Sequence, residues 1–211
     1  MQPEATTEPV STNALSIDVE EYFQVSAFER YITPDNWGDW PSRVELACDR
    51  ILDLLDAQES KATFFTLAWI AERHPKLIRR IVDDGHELAC HGYQHVRVTD
   101  QTRAQFRQDI QRSKALLEDV GGTPVSGYRA ASFSINTSNV WAFEEIEAAG
   151  FSYSSSVYPV RHDLYGIPEA PRVPFRPPNT GRLTEIPIVF RTCFGIARNL
   201  SAGVGTVQEI P

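Results

Sequence analysis

The stretch 61-KATFFTLAWIAERHPKLIRRIVDDGHELACHGYQH-95 decides how this chain folds. Lys61 to Leu67 is a short apolar run that predicts a buried strand. Pro75 then sits near the start of a segment with Leu77, Ile78, Ile81 and Val82 on one face and Gly85 at its end, the pattern of a capped helix. Glu87-Leu88-Ala89-Cys90 predicts a second strand. Strand, helix, strand is the unit of a parallel sheet, because a parallel return needs a crossover that an α-helix supplies.

The same order repeats on both sides. Asn13 to Ile17 predicts a strand, followed by an aromatic-rich loop (Tyr22, Phe23, Phe28, Tyr31, Trp37, Trp40). Ser42 and Glu45 read as a capping box opening a helix whose apolar stripe is Val44, Ala47, Ile51 and Leu54, with Leu55 beside it. Thr102 and Gln105 read as a second box, for a helix carrying Phe106, Ile110 and Leu117 and stopped by Gly121-Gly122. Val125 to Arg129 predicts a strand, and Ser138 to Ala149 a helix with Trp141 and Ile146, ended by Gly150. Phe151 to Ser154 and Leu183 to Phe190 predict two more strands. The expectation is an α/β fold whose parallel sheet is open or closed into a barrel, with its active site at the carboxyl ends of the strands.

Bulk properties bound the function. The chain has 211 residues, 42% hydrophobic and 23% charged, which suits one globular domain, expected over 13–211. Residues 1–12 are polar, without basic residues or an apolar core, and are expected to be a disordered leader and not a signal peptide. A net charge of −8 argues against nucleic acid or an anionic membrane as the main partner. No apolar run approaches the roughly 20 residues of a membrane span, so the default expectation is a cytoplasmic protein. Cys48, Cys90 and Cys193 are widely spaced and read as reduced thiols, the first two buried.

Chemistry concentrates at three strand ends. His91 and His95 lie four apart; on a helical turn their Cβ atoms would be about 6 Å apart on one face, suited to one divalent metal. Asp18 and Glu20 follow the first strand, and on an extended chain alternate side chains point the same way. One carboxylate with two imidazoles makes a three-ligand set with an open position, and a second carboxylate nearby can serve as base. Arg129 follows a third strand.

These residues resemble the polysaccharide deacetylases of the NodB-homology type, carbohydrate esterase family four, from Leu15 to about Leu183. Leu15-Ser-Ile-Asp-Val-Glu-Glu-Tyr-Phe is similar to the family's first motif, and Lys61-Ala-Thr-Phe-Phe with Gly85-His-Glu-Leu and HGYQH to its second. Gly127-Tyr-Arg-Ala-Ala-Ser-Phe-Ser-Ile resembles the third and Tyr153-Ser-Ser-Ser-Val-Tyr-Pro the fourth. The tract Trp37 to Arg43, with Arg161-His-Asp-Leu-Tyr-Gly, resembles the subgroup of exosortase-linked exopolysaccharide loci. The resemblance implies a distorted (β/α)7 TIM-like barrel that removes N-acetyl groups from a polysaccharide or oligosaccharide. It implies Asp18 as catalytic base, Glu20, His91 and His95 as ligands of a divalent metal, zinc, and Arg129 as the partner of Asp18. It also implies a backbone N–H near Ser132 that helps hold the oxyanion. Trp37, Trp40 and Tyr158 are candidates for stacking on sugar rings, with core packing the alternative for the tryptophans.

The chain departs from the family pattern in three places. Ala131 stands where proline is common, and Ser154 where aspartate is common. Family members also continue to a strand bearing a histidine that protonates the leaving amine, whereas the only histidine after Arg129 here is His162. The expectation is therefore a barrel missing its C-terminal elements, with weakened amide hydrolysis. Two competing readings are a hydrolase of small cyclic amides or ureides and a catalytically impaired metal- or glycan-binding remnant.

Overall fold

The structure is a computed structural model that describes residues 12–162, 165–188 and 206–210. Twelve elements follow in chain order: β1 (Thr12–Val19), α1 (Val44–Ala57), β2 (Thr63–Thr66), α2 (Ala68–Arg73), α3 (Pro75–Asp83), β3 (Glu87–Cys90), α4 (Arg103–Gly121), β4 (Gly127–Tyr128), α5 (Ala142–Ala148), β5 (Tyr153–Ser154), β6 (Thr184–Glu185) and β7 (Thr206–Ile210). The sheet order is β6-β5-β4-β3-β2-β1-β7. Strands β1 to β6 are all parallel and lie side by side in chain order, as in a (β/α) barrel; β7 adds antiparallel to the free side of β1. The sheet curls as part of a barrel wall, and among the described residues β6 and β7 are its two edges. Of the expected leader 1–12, residues 1–11 lie outside the described residues and Thr12 opens β1; Cys193 also lies outside them, as do Phe190 and its neighbour at the end of the last expected strand.

Register decides what the sheet presents. Val19 pairs with Thr66, Thr66 with Cys90, Cys90 with Tyr128, Tyr128 with Ser154, and Ser154 with Glu185. One row thus crosses six strands. The next residue along each strand, including Glu20, His91, Arg129 and Ser155, emerges at the same carboxyl rim. Beneath it, Phe64, Leu67, Ile70, Ile78, Ile81, Phe106, Ile110 and Leu117 are buried in one cluster between the sheet and its helices. Cys48 and Cys90 are buried free thiols, as expected.

Helix ends show where local sequence governs and where it does not. The Thr102/Gln105 box forms: Thr102 Oγ1 accepts from Gln105 N–H at 3.3 Å, and Gln105 Oε1 accepts from Thr102 N–H at 2.9 Å. Gly122 closes α4 in the left-handed conformation, φ 65°. The Ser42/Glu45 box does not form. The amides at the start of α1 are taken by Glu21, whose carboxylate accepts from Arg43 N–H at 3.0 Å, from Val44 N–H at 3.3 Å, and from the Ser42 hydroxyl. Glu21 is only 1% exposed. A cap donated from more than twenty residues away leaves no local signature.

The stripe of α1 is also displaced. Val44, Cys48, Leu52 and Leu55 are buried, while Ala47 is exposed and Leu54 is 62% exposed. This is a shift of one residue, about 100° around the helix. Helix α2 was not expected, and α5 starts at Ala142 instead of Ser138. The Asn139 side chain accepts from Asn136 N–H at 2.7 Å and donates to Ser134 O at 2.9 Å, which holds the preceding residues in a turn.

Glu21→Ala should lower stability by about 1–3 kcal/mol, because it strips a buried acceptor from two helix amides. Glu45→Ala, at an exposed position, should change it by less than about 0.5 kcal/mol. Urea unfolding of both variants checks this, and equal losses would restore the local capping box.

Candidate functional site

The carboxyl rim gathers the five site residues singled out above. Arg129, 0% exposed, follows β4 and donates from Nη1 to Asp18 Oδ1 at 2.7 Å. Its Nη2 donates to Ser16 Oγ at 2.9 Å and Ser155 Oγ at 3.1 Å, and its Nε to the Ser155 carbonyl at 3.1 Å. The guanidinium lies over the Phe65 ring, 3.9 Å from its centroid. Such planar, multiply bonded burial suits arginine and not lysine.

Glu20, His91 and His95 form the second group, with one ligand atom from each lying within 4.8 Å of the others. Glu20 Oε2 is 3.1 Å from His95 Nε2 and 3.8 Å from His91 Nε2. His91 Nδ1 lies 2.9 Å from the Arg129 carbonyl, which can only accept. The proton therefore sits on Nδ1 and leaves the Nε2 lone pair toward Glu20 and His95.

The histidines do not share a helical turn. Residues 91–95 are an irregular loop in which Gly92 (φ 80°) and His95 (φ 57°) are both left-handed. A non-glycine residue held there is strained unless its surroundings fix it. Helix α2 provides part of that fixation, since Ala68 N–H and Trp69 N–H donate to the carbonyls of Gly92 and Tyr93 at 2.9 and 3.2 Å. At Gly92 a Cβ would meet Asp109 Oδ2 of α4 at 3.1 Å.

Electrostatics separate the two carboxylates. Burial favours the protonated form of Asp18, but Arg129, helped by His91 and His95, outweighs it and holds the carboxyl below its usual value. Glu20 has no such partner: burial, with the nearby Asp18 charge adding, pushes it up to about 8. Its Oε2 is buried and makes no hydrogen bond. Burial, with His91 next, pulls His95 down to about 3, and His91 is lowered too, chiefly by burial. Two neutral imidazoles and an unsatisfied buried carboxylate fit a divalent cation, which would supply the positive charge that the cluster lacks.

Several residues at the rim carried no sequence signal as site residues. Ser16, Ser155 and Ser156 hold Arg129 and the Ala130 amide, and Glu185 holds the segment after β5. Ser154 donates to Ser156 Oγ at 2.8 Å. Ser132 and Phe133 have φ of 51° and 49°, and Ser132 Oγ is 2.8 Å from Ser26 Oγ of the first loop. Of the sugar-stacking candidates, Trp37 and Tyr158 are buried, Trp37 packed edge-on against Trp69; Trp40 is 41% exposed.

A family model described as Polysaccharide deacetylase matches residues 32–152, and one described as a domain of unknown function matches residues 155–207. A Bacillus cereus peptidoglycan-N-acetylglucosamine deacetylase is 33% identical over 73 residues, which is 35% of this chain and 26% of that protein. A Helicobacter pylori peptidoglycan deacetylase is 30% identical over 114 residues, 54% of this chain and 38% of that one. A crystal structure from Mycobacterium smegmatis, assigned as a polysaccharide deacetylase, has a TM-score of 0.63 at 26% identity, covering 90% of this chain and 64% of that one. This chain thus spans less than half the length of either curated relative.

The depressed imidazoles set a pH dependence for the metal-free chain. In the unfolded chain His95 takes a proton near its ordinary 6.5, whereas in the fold it refuses one down to about 3. Stability should therefore fall as pH drops below 6.5, by about 1.4 kcal/mol per pH unit for each proton taken up on unfolding. His95→Ala should flatten this slope by about one proton in urea unfolding of chelator-treated protein. An unchanged slope would contradict the burial of that imidazole.

Proposed function

Because the chain belongs to the polysaccharide deacetylase family, we propose that its rim hydrolyses the N-acetyl amide of amino sugars in a polysaccharide, with Asp18 as base and Glu20, His91 and His95 as metal ligands. One observation carries this reading: an ion-paired carboxylate and a three-ligand cluster sit side by side on the same strand ends. Zinc is the metal we propose, since two neutral imidazole nitrogens and a carboxylate oxygen are a donor set it favours. A cation bound there would lower the pKa of water and polarise the acetyl carbonyl. Membership of the exosortase-linked subgroup is part of the same proposal and rests on the Trp37–Arg43 and Arg161–Gly166 resemblance. So is a cytoplasmic location; among the described residues no helix is long and apolar enough to cross a membrane.

The chain's own groups divide the remaining work. Asp18, kept ionised and aimed by Arg129, takes the proton of the water whose oxygen attacks the acetyl carbon. Arg129 stays protonated throughout and fixes the carboxylate's direction. The N–H of Ser132 is the backbone donor we assign to the developing oxyanion, in a turn whose strained φ values pre-set its direction. The carbon–nitrogen bond then breaks as Asp18 passes that proton to the departing nitrogen, and the remaining water proton moves from the new carboxylic acid to the amine in solution, giving acetate and an ammonium group. The two curated relatives described above are both named as glycan deacetylases, which favours this substrate class over small cyclic amides.

Acetate release from N-acetylglucosamine oligomers, measured alongside bound metal, tests these roles. Asp18→Asn should keep its metal and lose about 100- to 10,000-fold in rate. His91→Ala should lose both. An Asp18→Asn protein without metal would make Asp18 a ligand, and a His91→Ala protein with full metal content would remove the cluster from the account.

A further inference from the structure

The register row ends on a carboxylate that the proposed chemistry leaves unused. Glu185, in β6, pairs with Ser154 of β5 and is 0% exposed. Its Oε1 accepts from Ser156 N–H at 2.8 Å and Val157 N–H at 2.7 Å. Oε2 is buried and makes no hydrogen bond among the described residues. A buried acid costs free energy that an apolar residue would not, so its retention needs a reason.

The reason lies in what the held segment does. Ser155, next to the two bonded amides, accepts two of the four hydrogen bonds that the Arg129 guanidinium makes, through its carbonyl and its hydroxyl. Ser156 Oγ accepts from Ala130 N–H at 2.9 Å, fixing the residue after Arg129. The Glu185 side chain thus clamps the corner on which the Arg129 guanidinium and the Ala130 amide are both seated. Burial raises the Glu185 pKa, opposed by the Ser154 hydroxyl, then by the Val157 and Ser156 amides, and last by the Arg129 charge.

We propose that Glu185 is a positioning residue of the deacetylase site: it holds the Ser155–Val157 corner, which seats Arg129, which aims Asp18. The proposal rests on the deacetylase reading above.

The test compares Glu185→Leu, Glu185→Gln, Ser155→Ala and the Glu185→Leu/Ser155→Ala pair in the full chain. Glu185→Leu should lower kcat by about 100-fold, the scale of a small misplacement of a reacting group. KM should stay within about twofold and metal content should not change. Glu185→Gln keeps an acceptor oxygen at the corner and should recover most of the rate. In the Ser155→Ala background the Glu185→Leu substitution should cost far less, since coupled residues are not additive. The Arg129 Nε–H, followed by NMR, should exchange at least about tenfold faster in Glu185→Leu but not in Glu185→Gln. Should Glu185→Leu not fold, Glu185→Asp, which withdraws the carboxylate, replaces it with the same expectations. Equal rates for Leu and Gln, additive losses, or an Arg129 Nε–H as protected as in wild type would each overturn the proposal. A wild-type chain with no turnover of any N-acetylated glycan would count against the deacetylase reading alone, and the Arg129 exchange measurement would still decide the role of Glu185.

Discussion

A fully buried guanidinium governs this fold's functional end. Arg129 has no contact with water, so its donors must be met inside the protein or the charge would be prohibitively costly. Two strand ends meet that demand: Ser16 and Asp18 from β1, and Ser155 from just beyond β5. Its backbone carbonyl takes the Nδ1–H of His91, and so orients the imidazole at the end of β3. Removing one partner of such a buried pair costs about 3–5 kcal/mol, far more than an exposed pair. The same contacts that satisfy Arg129 thereby fix both the Asp18 carboxylate, the proposed base, and one imidazole.

The parallel register translates this local demand into a site. Because one row of paired residues runs from Val19 to Glu185, the following residues of neighbouring strands leave the sheet at the same height. A slip of one residue in any strand would turn its side chains to the other face. The loop after β3 then departs from regular structure, with Gly92 and His95 both left-handed and the α2 amides bonded to its carbonyls. This is where strain is stored, next to groups whose protonation is shifted in opposite directions: Glu20 up to about 8 and His95 down to about 3. Uncompensated burial of this kind is typical of sites that hold a ligand.

Much of this was legible in the sequence because the signals were periodic or local. The β-α-β unit of 61–95, the Thr102 box and the Gly122 stop depend on neighbours a few residues apart. That the five candidate residues would gather at one rim was legible because each lies at or beyond the carboxyl end of a strand. What local reading missed came from far away in the chain. Glu21 caps α1 across more than twenty residues, so the nearby Ser42/Glu45 pattern was followed instead, and the stripe of α1 was placed one residue out. The two histidines lie together as expected but not on a helical turn, because i, i+4 spacing fits a helical turn and a left-handed loop equally well. Ser155 lies in the stretch resembling the fourth motif but had no role assigned there, and Glu185 lies in no motif; the register brings both beside Arg129.

The central claim is a division of labour between two carboxylates two residues apart, one held by arginine and one reserved for metal. A crystal structure of the full chain soaked with zinc, with anomalous data collected at the zinc edge, tests it most directly. The account requires one peak at about 2.0–2.2 Å from Glu20 Oε2, His91 Nε2 and His95 Nε2, with Asp18 still bonded to Arg129. A peak elsewhere, or Asp18 turned from Arg129 to bind the ion, would contradict it.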